Sequence, residues 1–234
     1  MLPTTKPSRQ RTEVRQAHLV AAALQLAAER SPADITTTDL ANAVGITQGA
    51  VFRHFASKDA IWLAVMASVT EQLMGQLQAA ALAADAPPVS HSTELAAPTQ
   101  PGERNALRAL EAVFMTHVAF VVAYPGVPRV IFQELQQPQD TALKASVRTL
   151  MQQYRTLLMR LLTHAQEQHL IAPQADLTGA CVLFIGSLQG LVMQALMSGD
   201  VAAMTQLAPG VFAIYRRGLC ASASPAQPAA AATL

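Results

Sequence analysis

The 234-residue sequence predicts an all-α protein, and three observations carry that prediction. Ala, Leu, Gln and Met dominate almost every stretch, while alternating β-branched residues are nearly absent. The chain is 51% hydrophobic and 13% charged, a composition that supports a buried core and argues against overall disorder. Ser31-Pro32, Tyr124-Pro125-Gly126 and Ala172-Pro173 interrupt the helical pattern where helices should end.

The elements follow in order. Thr12 to Arg30 reads as the first helix, with Val14, Ala17, Leu24 and Leu26 on its apolar face. A short second helix opens at Thr36, where Thr36 and Asp39 have the spacing of a capping box, and runs to Val44. Gly45 supplies the turn, because glycine takes a left-handed backbone without steric cost. A third helix runs from about Gln48 to His54, and a long fourth from near Ser57, its N-cap, to about Ala84. Asp85 to Gly102 is rich in Pro, Ser and Thr and reads as a connection without packed structure. Helical patterns resume over Glu103–Ala123, Val127–Gln137, Asp140–Leu170, Asp176–Ser198 and Val201–Leu219. The tail after Leu219, residues 220–234, lacks an apolar pattern and is expected to be disordered. No internal repeat is visible.

Several function classes recede at this point. The N-terminal residues have no apolar segment behind their charges, so a secretory signal is not expected. Leu177 to Met197 is uncharged and long enough to span a bilayer. It contains Gln189 and Gln194, lies between Asp176 and Asp200, and lacks interfacial anchors, so a buried helix of a cytoplasmic protein without membrane contact is expected. Cys181 and Cys220 sit in apolar helical contexts and read as buried reduced thiols. His164 and His169 are five apart, a poor match to two ligands on one helix face, and no metal or cofactor is expected. No nucleophile elbow, phosphate loop or paired acid and base marks an enzyme, which stays as the remote alternative.

The informative stretch is VGITQGAVFRHFASKDAIW, residues 44–62. Leu40, Val44, Ile46 and Val51 can form one small core, with Ala41 small at the helix crossing. Phe55 reads as core as well. Thr47, Gln48, Arg53 and His54 are left for the surface, and Gly49 and Ala50 carry no bulk there. Two helices joined by a glycine-containing turn are the elementary DNA-reading unit. Charge agrees: the first 58 residues hold seven Lys and Arg against four Asp and Glu, a net +3 in a chain of net +1. His54 can be read as a phosphate contact or as a helix cap, and Arg11 and Arg15 as phosphate contacts or solvated surface.

The run TTTDLANAVGITQGAVFRHFASKDAIW resembles the DNA-binding domain of TetR-family transcriptional regulators. The capped short helix, Ala41, Gly45 and the F-x-H-F-x-x-K pattern of Phe52, His54, Phe55 and Lys58 carry the likeness. The resemblance implies a three-helix helix-turn-helix domain over residues 11–72, with the motif at about 35–54. It implies a helical ligand-binding and dimerisation bundle over 73–219. It also implies that Gln48 and Gly49 approach bases while Thr37, Thr47, His54 and Lys58 meet phosphates. Phe52 stands where the family commonly has Tyr, so a hydroxyl contact is lost there. Gln48 can pair with adenine or contact phosphate.

For the body, Phe114, His117, Phe132, Tyr154, Phe184, Gln189 and Met193 are the pocket candidates. His117 is equally readable as a satisfied core histidine. Gly186 and Gly190, one turn apart, would let a second subunit approach, with Phe212 and Tyr215 adding a second interface helix. The bland alternative is that both glycines ease packing within one subunit. The expectation is a homodimeric regulator, a repressor released from double-stranded operator DNA by a small-molecule ligand. A ligand-independent DNA-binding protein is the rival, and the large apolar body argues against it.

Overall fold

A computed structural model describes residues 7–85 and 105–220. Its helices are α1 (Pro7–Glu29), α2 (Thr37–Ala43), α3 (Gln48–Val51), α4 (Lys58–Asp85), α5 (Ala106–Ala123), α6 (Gly126–Leu135), α7 (Ala142–Glu167), α8 (Leu177–Ser198) and α9 (Ala203–Cys220). A 3-10 turn, Pro32–Asp34, joins α1 to α2, and no strand occurs among the described residues. The proposed connection beyond Asp85 and the tail beyond Cys220 lie outside the described residues; Cys220 itself ends α9.

Helix starts follow the side chains able to cap them. Thr36 and Asp39 form the reciprocal capping box of α2. Ser57 Oγ accepts from the Ala60 amide at 3.1 Å. Asn105 and Thr141 cap α5 and α7, so these helices begin at Ala106 and Ala142 rather than at Glu103 and Asp140. Gly45, at φ 67°, makes the turn after α2 as expected. The end of α7 differs. His169, at φ 58°, takes the left-handed position usually given to glycine, and the Leu170 amide reaches back to the Ala165 carbonyl at 2.9 Å. His164 pairs instead with the Gln168 side chain.

Two sequence expectations are corrected by packing. Val14 and Ala17 of α1 are exposed, and the buried face runs through Leu19, Ala23 and Ala27, four residues apart. Leu24 and Leu26 are only partly buried against that core. Cys181 is buried, but Cys220 is exposed at the end of α9, where its thiol reaches the Leu170 carbonyl.

One continuous core links head and body. The long helix α4 packs on α1 at one end and on α5 and α7 at the other, so the boundary expected near residue 72 falls inside an unbroken helix. Around Phe114, the rings of Phe184, Phe212 and Tyr215 stack edge-on or tilted, and Tyr215 donates to the Ala180 carbonyl at 3.1 Å. α5 and α8 are each long and apolar enough to cross a membrane, yet here they pack against other helices of the chain.

Candidate nucleic-acid interface and internal cavity

The head is a tripod of α1, α2 and α3 standing on the start of α4. Leu40, Ala41 and Val51 are buried, with Val44, Ile46 and Phe55 partly buried around them. The expected small core and the packed Phe55 are therefore both present. Thr47 caps α3 by accepting from the Ala50 amide at 3.3 Å. α3 ends at Val51, not His54. Beyond it the Arg53 and His54 amides bond to carbonyls three residues back, at 3.2 and 2.9 Å, which tightens the chain out of the α-helical path.

The positions expected to meet DNA differ in their surroundings. Thr47, Gln48, Gly49 and Arg53 are exposed, and Phe52 has 49% of its surface free. Gln48 Nε2 donates to Thr37 Oγ1 at 2.8 Å, so these two candidates are joined across the motif. Lys58 Nζ donates to the Ala33 carbonyl at 2.9 Å. His54 is half-buried: its carbonyl accepts from Gln16 Nε2 at 2.8 Å, and its Nδ1 is enclosed without a hydrogen-bond partner. Arg15 reaches the Val44 carbonyl at 3.4 Å, which ties α1 to the turn. Hydrogen bonds from the Thr36 hydroxyl and amide hold the Asp39 carboxyl down at about 2, helped by Arg30 at 3.1 Å. The head is thereby braced by polar contacts outside its recognition surface.

The body contains a cavity of about 410 Å³ between α4, α5, α6, α7 and α8. Four of the pocket candidates, His117, Phe132, Tyr154 and Gln189, line it. Phe114 and Phe184 do not. They are fully buried in the aromatic cluster behind the wall, because large rings at core-facing positions pack against each other first. Met193 lies on the exposed side of α8, outside the cavity. His117 Nδ1 lies 3.0 Å from the Tyr154 hydroxyl. Burial lowers the imidazole to about 4 and pushes the Tyr154 phenol well above its usual range. Both are therefore neutral at pH 7.

Sequence reasoning reached the α6 wall through Phe132 alone and missed Arg148 and Arg155. The signal for the arginines was their spacing: seven residues on one helix place both on the same face. For the interface candidates the outcome is divided. Gly186 and Gly190 are exposed, with open space where a Cβ would stand. Phe212 and Tyr215 are buried in the chain's own core, which leaves almost none of their surface for contact with a second copy. The exposed face of α9 instead presents Leu207 and Ile214.

Comparisons with known proteins agree with this geometry. The model of bacterial regulatory proteins of the tetR family matches residues 19–65, and that of the tetracyclin repressor-like C-terminal domain matches 132–211. The nucleoid occlusion factor SlmA of Actinobacillus pleuropneumoniae is 25% identical over 146 residues, 62% of this chain. The chain spans about 63% of the length of that relative. Among solved structures, the fatty acid degradation regulator FadR from Bacillus halodurans superposes with a TM-score of 0.70 at 18% identity, covering 93% of this chain and 98% of that one. FadR from Bacillus subtilis, in complex with stearoyl-CoA, gives 0.68 at 16% identity, with 86% and 98% covered. At these identities the two structures establish the fold alone.

Proposed function

The chain belongs to the TetR family of bacterial regulatory proteins, a DNA-binding transcriptional regulator, and from that premise we propose that it is a cytoplasmic homodimeric repressor released from its operator by a small molecule. The observation that carries this reading is the pairing of an exposed surface on the head with a half-open, largely apolar cavity along one continuous helix. α4 begins at the head, capped by Ser57, and its Leu73 lines the cavity.

In this reading Gln48 and Gly49 approach base edges, and Thr37, Thr47, His54 and Lys58 meet phosphates. Lys58 exchanges its contact with the Ala33 carbonyl for phosphate, and Gln48 exchanges Thr37 for a base. Phe52 packs its exposed ring on the sugar-phosphate backbone. Two heads on one dimer reach successive major grooves on one face of a palindrome. A ligand filling the cavity presses on Leu73, tilts α4 and changes the spacing of the heads, so both half-sites can no longer be held together.

The likeness to a nucleoid occlusion factor keeps a second reading in play, a DNA-binding protein that takes no ligand. The cavity favours the first, since a body serving dimerisation alone does not require an apolar cavity of that size.

Selection from random duplexes tests the proposal. A palindromic motif should emerge, bound with a log–log salt slope of about −0.9 per phosphate neutralised. Lys58→Ala should weaken all duplexes alike, whereas Gln48→Ala should blur one base position in each half-site. Affinity independent of salt, or no palindrome, would overturn the regulator reading.

A further inference from the structure

The charges around the cavity are one-sided. From their arrangement, and resting on the reading of the cavity as the effector site, we infer that the effector is an amphipathic anion. Its apolar chain or ring system lies inside, and its acidic headgroup sits at the α7 edge.

Arg148 and Arg155 are the charged groups of the lining, and no Asp or Glu joins them. Seven residues apart on α7, they stand two turns from each other on one face, roughly 10 Å along the axis. Gln152 lies between them and lines the cavity too. The neighbouring face of the same helix, Leu150, Met151 and Tyr154, turns apolar surface inward. One helix thus supplies both the greasy wall and the cationic edge.

The two arginines differ. Arg148 is already held by Asp140 at 2.6 Å. Arg155 is exposed and forms no salt bridge among the described residues. Its planar fork is shaped for a carboxylate or phosphate. The inner end offers no such partner. His117 and Tyr154 are neutral and hydrogen-bonded to one another, so a charge driven to that depth would be left without an opposite charge. The headgroup must therefore stay at the edge while the apolar part goes in. A cationic amphiphile would meet the unpaired like charge of Arg155 there. A neutral one would leave Arg155 unused.

Calorimetric titration of the full chain with decanoate, decanoyl-CoA, decanol and decyltrimethylammonium, each below its micellar range, tests the inference. An anion should bind tighter than decanol by on the order of five-fold at low salt, with the cation weakest. Which anion wins identifies the head as a bare carboxylate or a phosphate-bearing thioester. Arg155→Gln, a change at an exposed position, should bring the anion down to the level of decanol and leave decanol unchanged. Met151→Trp, which fills the cavity, should weaken all of them. Equal binding of decanoate, decanoyl-CoA and decanol, or preference for the cation, overturns the anionic effector while leaving the cavity as a binding site. Binding of none, or binding indifferent to Met151→Trp, overturns the cavity reading itself.

Discussion

A half-buried histidine in the apolar wall of the cavity ties stability to pH in a direction that can be worked out. Burial holds His117 down to about 4, against an ordinary value of 6.5. Above 6.5 the imidazole is neutral whether the chain is folded or unfolded, and its contribution to stability is fully present. As pH falls from 6.5 toward 4 only the unfolded chain takes up the proton, so stability is lost across that window. The difference corresponds to roughly 3 kcal/mol. Urea unfolding at pH 7.5 and pH 4.5 checks this: wild type should lose more than His117→Gln, which cannot titrate. Parallel losses in the two proteins would show that the imidazole is not sealed. The role of this residue was half legible in the sequence. An apolar neighbourhood left His117 readable as a core histidine or as the polar group of a pocket, but its partner Tyr154 is 37 positions away on another helix, beyond what local pattern can reach.

At the scale of elements, α6 connects the cavity to the head. Phe132 faces the cavity, and the next residue, Gln133, accepts from the Ser31 hydroxyl and the Ala33 amide at 3.3 and 3.0 Å. Those contacts hold the 3-10 turn whose Ala33 carbonyl takes Lys58. At the other end of α6, Gly126 lies against the α1 backbone so closely that a Cβ would stand 2.3 Å from the Leu24 carbonyl oxygen. Backbone cannot yield as a flexible side chain can. Gly126→Ala should therefore push α6 off α1, cost about 1–3 kcal/mol, and weaken operator binding although no DNA-facing residue has changed. Thermal unfolding and operator titration read the two effects. Wild-type stability and wild-type affinity together would remove α6 from the path between cavity and head. The sequence placed α6 within two residues of its true limits, because Pro125-Gly126 punctuates the chain there. Its closeness to α1 was not legible, since a glycine at a helix start reads as a boundary whether or not another backbone touches it.

For the whole molecule the question is which surface would meet a second copy in the proposed homodimer. Local rules served well where one residue acts on its neighbours, as in the Thr36–Asp39 box and the Gly45 turn. They served badly for α9, where Phe212 and Tyr215 share a face but that face closes the protomer's own core. The remaining surface is more telling. Along α8, Val182, Leu183, Met193 and Met197 are exposed beside Gly186 and Gly190. On α9, Leu207 and Ile214 are exposed, the latter with 64% of its surface free. Contiguous apolar surface of this kind marks association sites in soluble proteins, and two helices from each copy would close it as a four-helix bundle. The glycines separate this dimer from the alternative in which they serve packing within one subunit. A Cβ at Gly190 would meet nothing within 4 Å inside the protomer. Gly190→Leu should therefore leave the protomer folded, with the helical signal and cavity binding of the wild type. The added side chain would overpack the seam between subunits by about 1–3 kcal/mol at each symmetric contact. Sedimentation should then show dissociation at protein concentrations where wild type stays dimeric, and operator affinity should fall because a lone head holds only one half-site. A variant that sediments as tightly as wild type and still binds the palindrome would move the interface away from this face of α8.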